Sequence, residues 1–277
     1  MKIRVKSVNY LGELVFIGLG LYSERDMSLH GMDEAKAANA VFAEFYTSLM
    51  LELSISKLEK LVEKRVVVLS RHDLEEDEGR KILAAAENGK AVLLVPGDPL
   101  IATTHVDLRI RAEKRGIKTR LVHGASIVSA VIGLSGLQNY KYGRSVTIPF
   151  SDQGLVSETP YNVIKANKKM GLHTLCFLDI EAEEKRYMTV KEGLEALLSV
   201  EKQKHQRIVT PNTIAVGIAR AGSIAPVVKA DCVNELLKFD FGAAPHSIVF
   251  PGRLHFMEAE ALILLAKASE IVRRMVK

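Results

Sequence analysis

Tryptophan is absent from this 277-residue chain, and aromatic residues together make up only 6% of it. Single-stranded nucleic acid is bound by aromatic platforms set among clustered basic residues. Here the formal charge is +5, spread along the chain and not gathered in a tract, so a nucleic-acid partner is not expected. Cysteine is equally scarce: Cys176 and Cys232 lie far apart, in neither CxxC nor metal-ligand spacing. They suit small core residues of a protein kept in a reducing compartment. No apolar run approaches the roughly 18 residues that cross a bilayer. The start, MKIRVKSVNYLGE, is basic but lacks the apolar stretch and cleavage site of a secretory leader. A cytoplasmic protein with no membrane partner is expected. The eight histidines form no HxH or HExxH pair, so no metal site is expected. A nucleophile elbow (GxSxG) and a phosphate loop (GxxxxGK[ST]) are both missing, which removes the usual hydrolase and NTPase frameworks.

What the chain does have is alternation. Apolar runs stopped by glycine or proline read as buried strands entering tight turns. Two such runs lie at Leu14–Gly18 and Ala91–Val95; further strands are read at Arg65–Leu69 and at Lys118–Val122, the last followed by a turn at Gly124. Helical spacing is read at Asp33–Ala43, Asp73–Asn88, from Thr104 to Lys114 and at Ser126–Leu134. Thr104 and Asp107 have capping-box spacing. Nearly unbroken apolar strands alternating with helices imply a parallel sheet covered on both faces. Residues 138–160 interrupt the alternation with polar, glycine and proline residues, and a domain boundary is expected near Pro149. Beyond it, helices are read at Tyr161–Met170, Val190–Val200 and Cys232–Leu237, with a long one over His255–Val276. Strands are read at Thr174–Leu178, Thr213–Ile218, Val227–Lys229 and Ser247–Phe250. The fold class is therefore α/β. Two lobes are expected, over 14–149 and 150–277, preceded by an extension of residues 1–13.

Three junctions carry candidate chemistry. Gly18 and Gly20 follow a buried strand, but Ser23 stands where a dinucleotide fingerprint needs its third glycine, and a plain tight turn explains the pair as well. Pro96-Gly97-Asp98-Pro99 ends another strand, where ligands of open α/β sheets bind. Asp98 is placed to accept hydrogen bonds from a ribose or an ammonium group, or to make an ordinary turn. His123-Gly124-Ala125-Ser126 opens a helix whose start attracts a carboxylate, although Ser126 considered alone reads rather as an N-cap. Arg109, Arg111, Lys114 and Arg115 form a basic helical face, either solvated or a dock for an acidic partner.

Taken together, several strings resemble the diphthine synthase family, within the tetrapyrrole-methylase-like class. They are VFIGLGLYSERDMSL (15–29), AEFYTSLM (43–50), LVPGDPLIATTHVDLRIRA (94–112) and HGASIVSAVIGLSGLQNYKYGRSVTIPF (123–150). ETPYNVIK (158–165), GLHTLCFLDI (171–180), ARAGS (219–223) and FPGRLHFMEAEAL (250–262) continue the likeness. GLGL and GDP are common to the whole class, whereas THVDLRIRA, HGASIVSAV and GLQNYKYGR are more specific. Residues 1–13, 151–157 and 182–188 fit poorly.

The resemblance implies two α/β lobes with S-adenosylmethionine in the cleft between them, commonly in a homodimer, and S-adenosylhomocysteine as product. Carried over by position, the implied cofactor contacts are Leu21, Asp98, Ile101, Ser126, Ile127, Leu178, Ala221 and His246. The implied substrate is translation elongation factor 2, on whose aminocarboxypropyl-histidine the amino group is trimethylated. No catalytic base is assigned, because a displacement on a sulfonium depends chiefly on alignment. Two rivals remain open: a tetrapyrrole methylase acting on ring carbon, and a translation-factor-binding module with an inactive cleft.

Overall fold

The computed structural model describes residues 10–151 and 154–276, so most of the expected extension 1–13 lies outside the described residues. The chain divides into two compact units, one ending at Ser126 and one starting at Ile127.

The first unit alternates strand and helix in the order β1 (Gly12–Gly18), α1 (Leu29–Lys36), β2 (Ala40–Ala43), α2 (Ile55–Val62), β3 (Val66–Val68), α3 (Arg80–Glu87), β4 (Lys90–Val95), α4 (Val106–Lys114) and β5 (Ile117–Val122). Its sheet runs β3-β2-β4-β1-β5 with every pairing parallel. Leu14 to Ile17 in β1 and Ala91 to Leu94 in β4 are wholly inaccessible to solvent. This is what continuous apolar strands covered on both faces require. The first strand starts earlier than expected: Gly12 pairs with Ile117, and Glu13 with Lys90 and Lys118.

Three local expectations fail here. The helix read over Asp33–Ala43 stops at Lys36, because Ala40–Ala43 is a strand between β3 and β4. Asn39 fixes the change, its main chain and side chain both bonding Lys90. Sheet pairing of Val41 and Phe42 overrides the helix propensity of the alanines. The helix read over Asp73–Asn88 is split into a wide turn at His72–Glu76 and α3, with Gly79 at φ +68° between them. The capping box is not made. α4 begins after His105, while the Thr104 hydroxyl donates to Glu75 at 3.0 Å and Asp107 takes Arg111.

The second unit contains α5 (Ile127–Ser135), β6 (Val146–Ile148), α6 (Thr159–Met170), β7 (Thr174–Leu178), the hairpin β8 (Ile180–Glu181) and β9 (Arg186–Tyr187), α7 (Val190–Lys204), β10 (Ile214–Ala219), β11 (Val227–Cys232), α8 (Val233–Leu236), β12 (His246–Phe250) and α9 (Phe256–Leu264). Its main sheet runs β11-β10-β12-β7-β6, antiparallel except for the β6–β7 pair. The division between units therefore falls earlier than Pro149. β6 joins β7, and Val131 of α5 packs into the second unit's core, so residues 127–149 belong to this unit. The long terminal helix is broken as well. α9 ends at Leu264, the Ala266 carbonyl accepts from Ala230 on the edge strand β11, and a 3-10 turn follows at Glu270–Met275. Burial of Ala266, Ala268 and Val272 holds the chain in this folded-back course.

Candidate functional site

In the first unit the sequence-expected residues gather at the carboxyl edge of the parallel sheet. A side chain at Gly18 would meet the Gly97 carbonyl at 2.5 Å and the Gly124 nitrogen at 2.6 Å. Loops from three neighbouring strands thus approach to backbone contact there, which only glycine permits. Gly20, at φ +82°, and Gly97 exchange main-chain hydrogen bonds of 3.2 and 2.6 Å, tying the loop after β1 to that after β4. Leu21 follows this link and is half-buried. Asp98 sits beside it, one carboxylate oxygen 2.7 Å from Nδ1 of His123. Its other oxygen makes only a long 3.4 Å contact with the Leu100 N–H, so acceptor capacity remains. Ile101 is 45% exposed. Ser126, half-buried, ends the unit just before α5.

In the second unit, Leu178, Ala221 and His246 cluster at one end of the mixed sheet. Leu178 closes β7 and is buried. Ala221 lies just beyond β10, whose last residue, Ala219, pairs with His246 at the start of β12. Arg220 clamps this end, its Nη1 donating to the carbonyls of Phe241 and Ala243 at 2.8 and 2.6 Å. Both His246 nitrogens are occupied: Nδ1 accepts from the Val190 N–H at 3.2 Å, and Nε2 faces the Ala243 carbonyl at 3.1 Å. These bonds define a neutral ring, and burial lowers its pKa. A ligand would therefore meet the ring face of His246, not a vacant nitrogen. Ile127 opens α5 and packs on the unit's own core.

One polar cluster escaped the reading of single residues. Glu44 is wholly buried at the carboxyl end of β2, next to β4 in the sheet. Its carboxylate accepts from the N–H groups of Tyr46 and Thr47 and from the Thr47 hydroxyl. His105 Nε2 lies 3.7 Å away, and among the described residues neither it nor the buried Tyr46 hydroxyl has a hydrogen-bond partner. Burial raises the Glu44 pKa to about 7 and lowers that of His105 to about 4. The signal lay in two family-like strings, AEFYTSLM and TTHVDLR, which are far apart in sequence but meet here. By contrast, two of the four cations on the basic face of α4 are paired with carboxylates. Arg111 pairs with Asp107 and Glu78, Arg115 reaches Glu87, and Arg109 donates to Thr119.

Among the described residues no group of three or more histidine, cysteine, aspartate or glutamate side chains could hold a metal ion. No helix among them is long and apolar enough to cross a membrane.

Residues 13–225 match the Tetrapyrrole (Corrin/Porphyrin) Methylases. Diphthine synthase of Methanocella arvoryzae is 51% identical over 253 residues, covering 91% of this chain and 98% of the relative. That of Methanosarcina barkeri is 52% identical over 258 residues, covering 91% and 96% respectively. A crystal structure of diphthine synthase superposes with a TM-score of 0.87 at 44% identity, covering 95% of this chain and 99% of the other.

Proposed function

The chain belongs to the diphthine synthase family of the tetrapyrrole methylases and is an S-adenosylmethionine-dependent methyltransferase of diphthamide biosynthesis; we propose that its acceptor is the amino group of the aminocarboxypropyl-histidine in translation elongation factor 2, trimethylated to diphthine. The observation that carries the cofactor assignment is the carboxyl edge of the first sheet. Three glycine backbones close together there and leave Asp98 with unspent acceptor capacity. Asp98 would hold a hydroxyl or ammonium group of the cofactor, while Leu21, Ile101 and Ser126 would flank it. Ile127, Leu178, Ala221 and His246 are the proposed contacts of the second unit, with His246 acting through its ring face.

When bound, the cofactor supplies an electrophilic methyl group and a neutral leaving sulfide, so no metal is required. The chain's task is alignment, which contributes roughly 7–11 kcal/mol in well-oriented reactions. The acceptor amine must be neutral, and each pH unit below its pKa costs about 1.4 kcal/mol. That is small beside alignment, so no side chain is assigned as an indispensable base. A homodimer working in the cytoplasm on a protein substrate, without nucleic acid or membrane, completes the proposal. Its support is the dispersed basic charge and the family likeness.

The test is to incubate the protein with S-adenosylmethionine and elongation factor 2 carrying aminocarboxypropyl-histidine, then weigh the modified peptide. Three successive methyl additions, absent when the aminocarboxypropyl group is missing, are expected. Methylation of a porphyrinogen or corrin precursor instead would overturn the acceptor assignment.

A further inference from the structure

At the end of the second unit's sheet opposite to Leu178, Ala219 and His246 lies a cavity of about 670 Å³. Thr174 opens β7, Ile214 opens β10 and Phe250 closes β12, and all three line it. Four residue steps of strand, about 13 Å, separate this end from the proposed cofactor contacts. A ligand here would not compete for those contacts.

Its composition is one-sided. Ile164, Ile208, Ile214 and Phe250 supply an apolar floor, whereas Lys168, Arg207 and Arg274 bring three cations from three separate segments. Among the described residues no carboxylate lines the cavity. The side chains of Arg207 and Arg274 make no hydrogen bond or ion pair among the described residues. Lys168 donates only to the Ile208 carbonyl at 3.2 Å, and burial lowers its pKa. The acid beneath the loop, Glu201, is already engaged by the Tyr161 hydroxyl and the N–H groups of Arg207, Ile208 and Val209, at 2.6–3.0 Å.

Those same bonds hold Arg207 at φ +57°, in the left-handed region that a non-glycine residue rarely occupies. Strained backbone kept by surrounding contacts marks places where position matters. Here the contacts fix the loop that carries one of the cations. Two guanidinium forks and an ammonium group over an apolar floor suit phosphate groups attached to an apolar or aromatic body.

We propose that this cavity is a second binding site, taking a small phosphorylated molecule of nucleotide size whose phosphates meet Arg207, Arg274 and Lys168 and whose apolar part rests on Phe250 and Ile214. This assignment is independent of the methyl acceptor named above. Calorimetric titration of protein saturated with S-adenosylhomocysteine tests it, using UDP, inorganic pyrophosphate and uridine as probes. UDP should bind more tightly than pyrophosphate, and uridine should not bind measurably. Both exposed arginines can be removed without disturbing packing. Arg207→Ala and Arg274→Ala should each weaken UDP about tenfold or more, while S-adenosylhomocysteine affinity and the circular dichroism spectrum stay unchanged. No heat with millimolar UDP and pyrophosphate, or UDP binding unchanged in the double variant, would overturn the proposal. So would binding of a single-stranded oligonucleotide without UDP binding, which would make the cavity part of a nucleic-acid surface.

Discussion

Glu44 and His105 show how burial sets opposite pH dependences on two touching side chains. The Glu44 carboxyl, raised from 4.5 to about 7, holds a proton in the folded state that the unfolded chain has lost. Its contribution to stability therefore declines as pH rises through that window. His105, lowered from 6.5 to about 4, is neutral when folded while the unfolded chain is protonated. Its contribution is complete above 6.5 and is lost as pH falls toward 4. Between 4.5 and 6.5 the two slopes offset each other. Glu44→Gln keeps an acceptor for the Thr47 hydroxyl and removes one slope. The stability of wild type minus Glu44→Gln should fall by on the order of 3 kcal/mol between pH 4.5 and 7.5. Urea unfolding at several pH values measures it, and a constant difference would place an ordinary exposed carboxylate at this position. His105→Phe should leave the falling arm alone. Asp98 makes a separate residue-scale prediction: Asp98→Ala should weaken S-adenosylmethionine by about 10- to 100-fold, the range of a charge-assisted hydrogen bond, read by titration calorimetry.

At the scale of elements, the glycine contact between loops is the most exacting feature of the first unit. A Cβ at Gly124 would stand 2.5 Å from the Gly97 carbonyl and 2.9 Å from Gly18, all backbone that cannot swing aside. Gly124→Ala should push the three loops apart, lowering cofactor affinity tenfold or more with a smaller loss of thermal stability; unchanged affinity would remove these loops from the binding surface. The strands that bring the glycines together were legible in the sequence, since β1 and β4 are apolar runs ended by glycine or proline and β5 leads into the turn at Gly124. So was Asp98, because the end of a strand is where an open sheet binds. Its partner His123 was not, being 25 residues away and joined only by the fold. β2 was hidden because Ala40–Ala43 continues an alanine-rich helical pattern, and only pairing with Val66–Val68 and Lys90–Val95 decides its state. The break after Leu264 was hidden for the same kind of reason: nothing local stops the helix, and the edge of β11 claims Ala266 instead.

At the scale of the whole molecule, the α/β class followed from alternation, whereas the point of division did not, because the polar stretch after residue 138 looks like a linker and its strand β6 is three residues long. Leu178, Ala221 and His246 are proposed from family likeness alone, and the fold shows why no local signal marks them: each is an unremarkable residue at a strand end or just beyond one, and strand pairing across long stretches of chain sets its place. The same long-range packing buries three of the eight histidines, His105, His173 and His246. In each, burial is the main cause of a lowered pKa. For His173 the tautomer is also fixed, Nδ1 accepting from the Gly252 N–H and Nε2 donating to the buried Glu258 carboxylate. Each is harder to protonate folded than unfolded, so as pH falls the unfolded chain takes up protons first, around its histidine pKa of 6.5. The histidine contribution is therefore complete above that value and lost as pH falls. Glu44 offsets His105 between pH 4.5 and 6.5, so the net slope there comes from His173 and His246. Glu34, held at about 2 by Arg120 and Lys90, extends the loss only below pH 4.5. Urea midpoints should accordingly fall from pH 6.5 to 5, less so in His246→Phe. A flat profile across that interval would mean that the histidines are as accessible to protons folded as unfolded, and that these cores are looser than their packing implies.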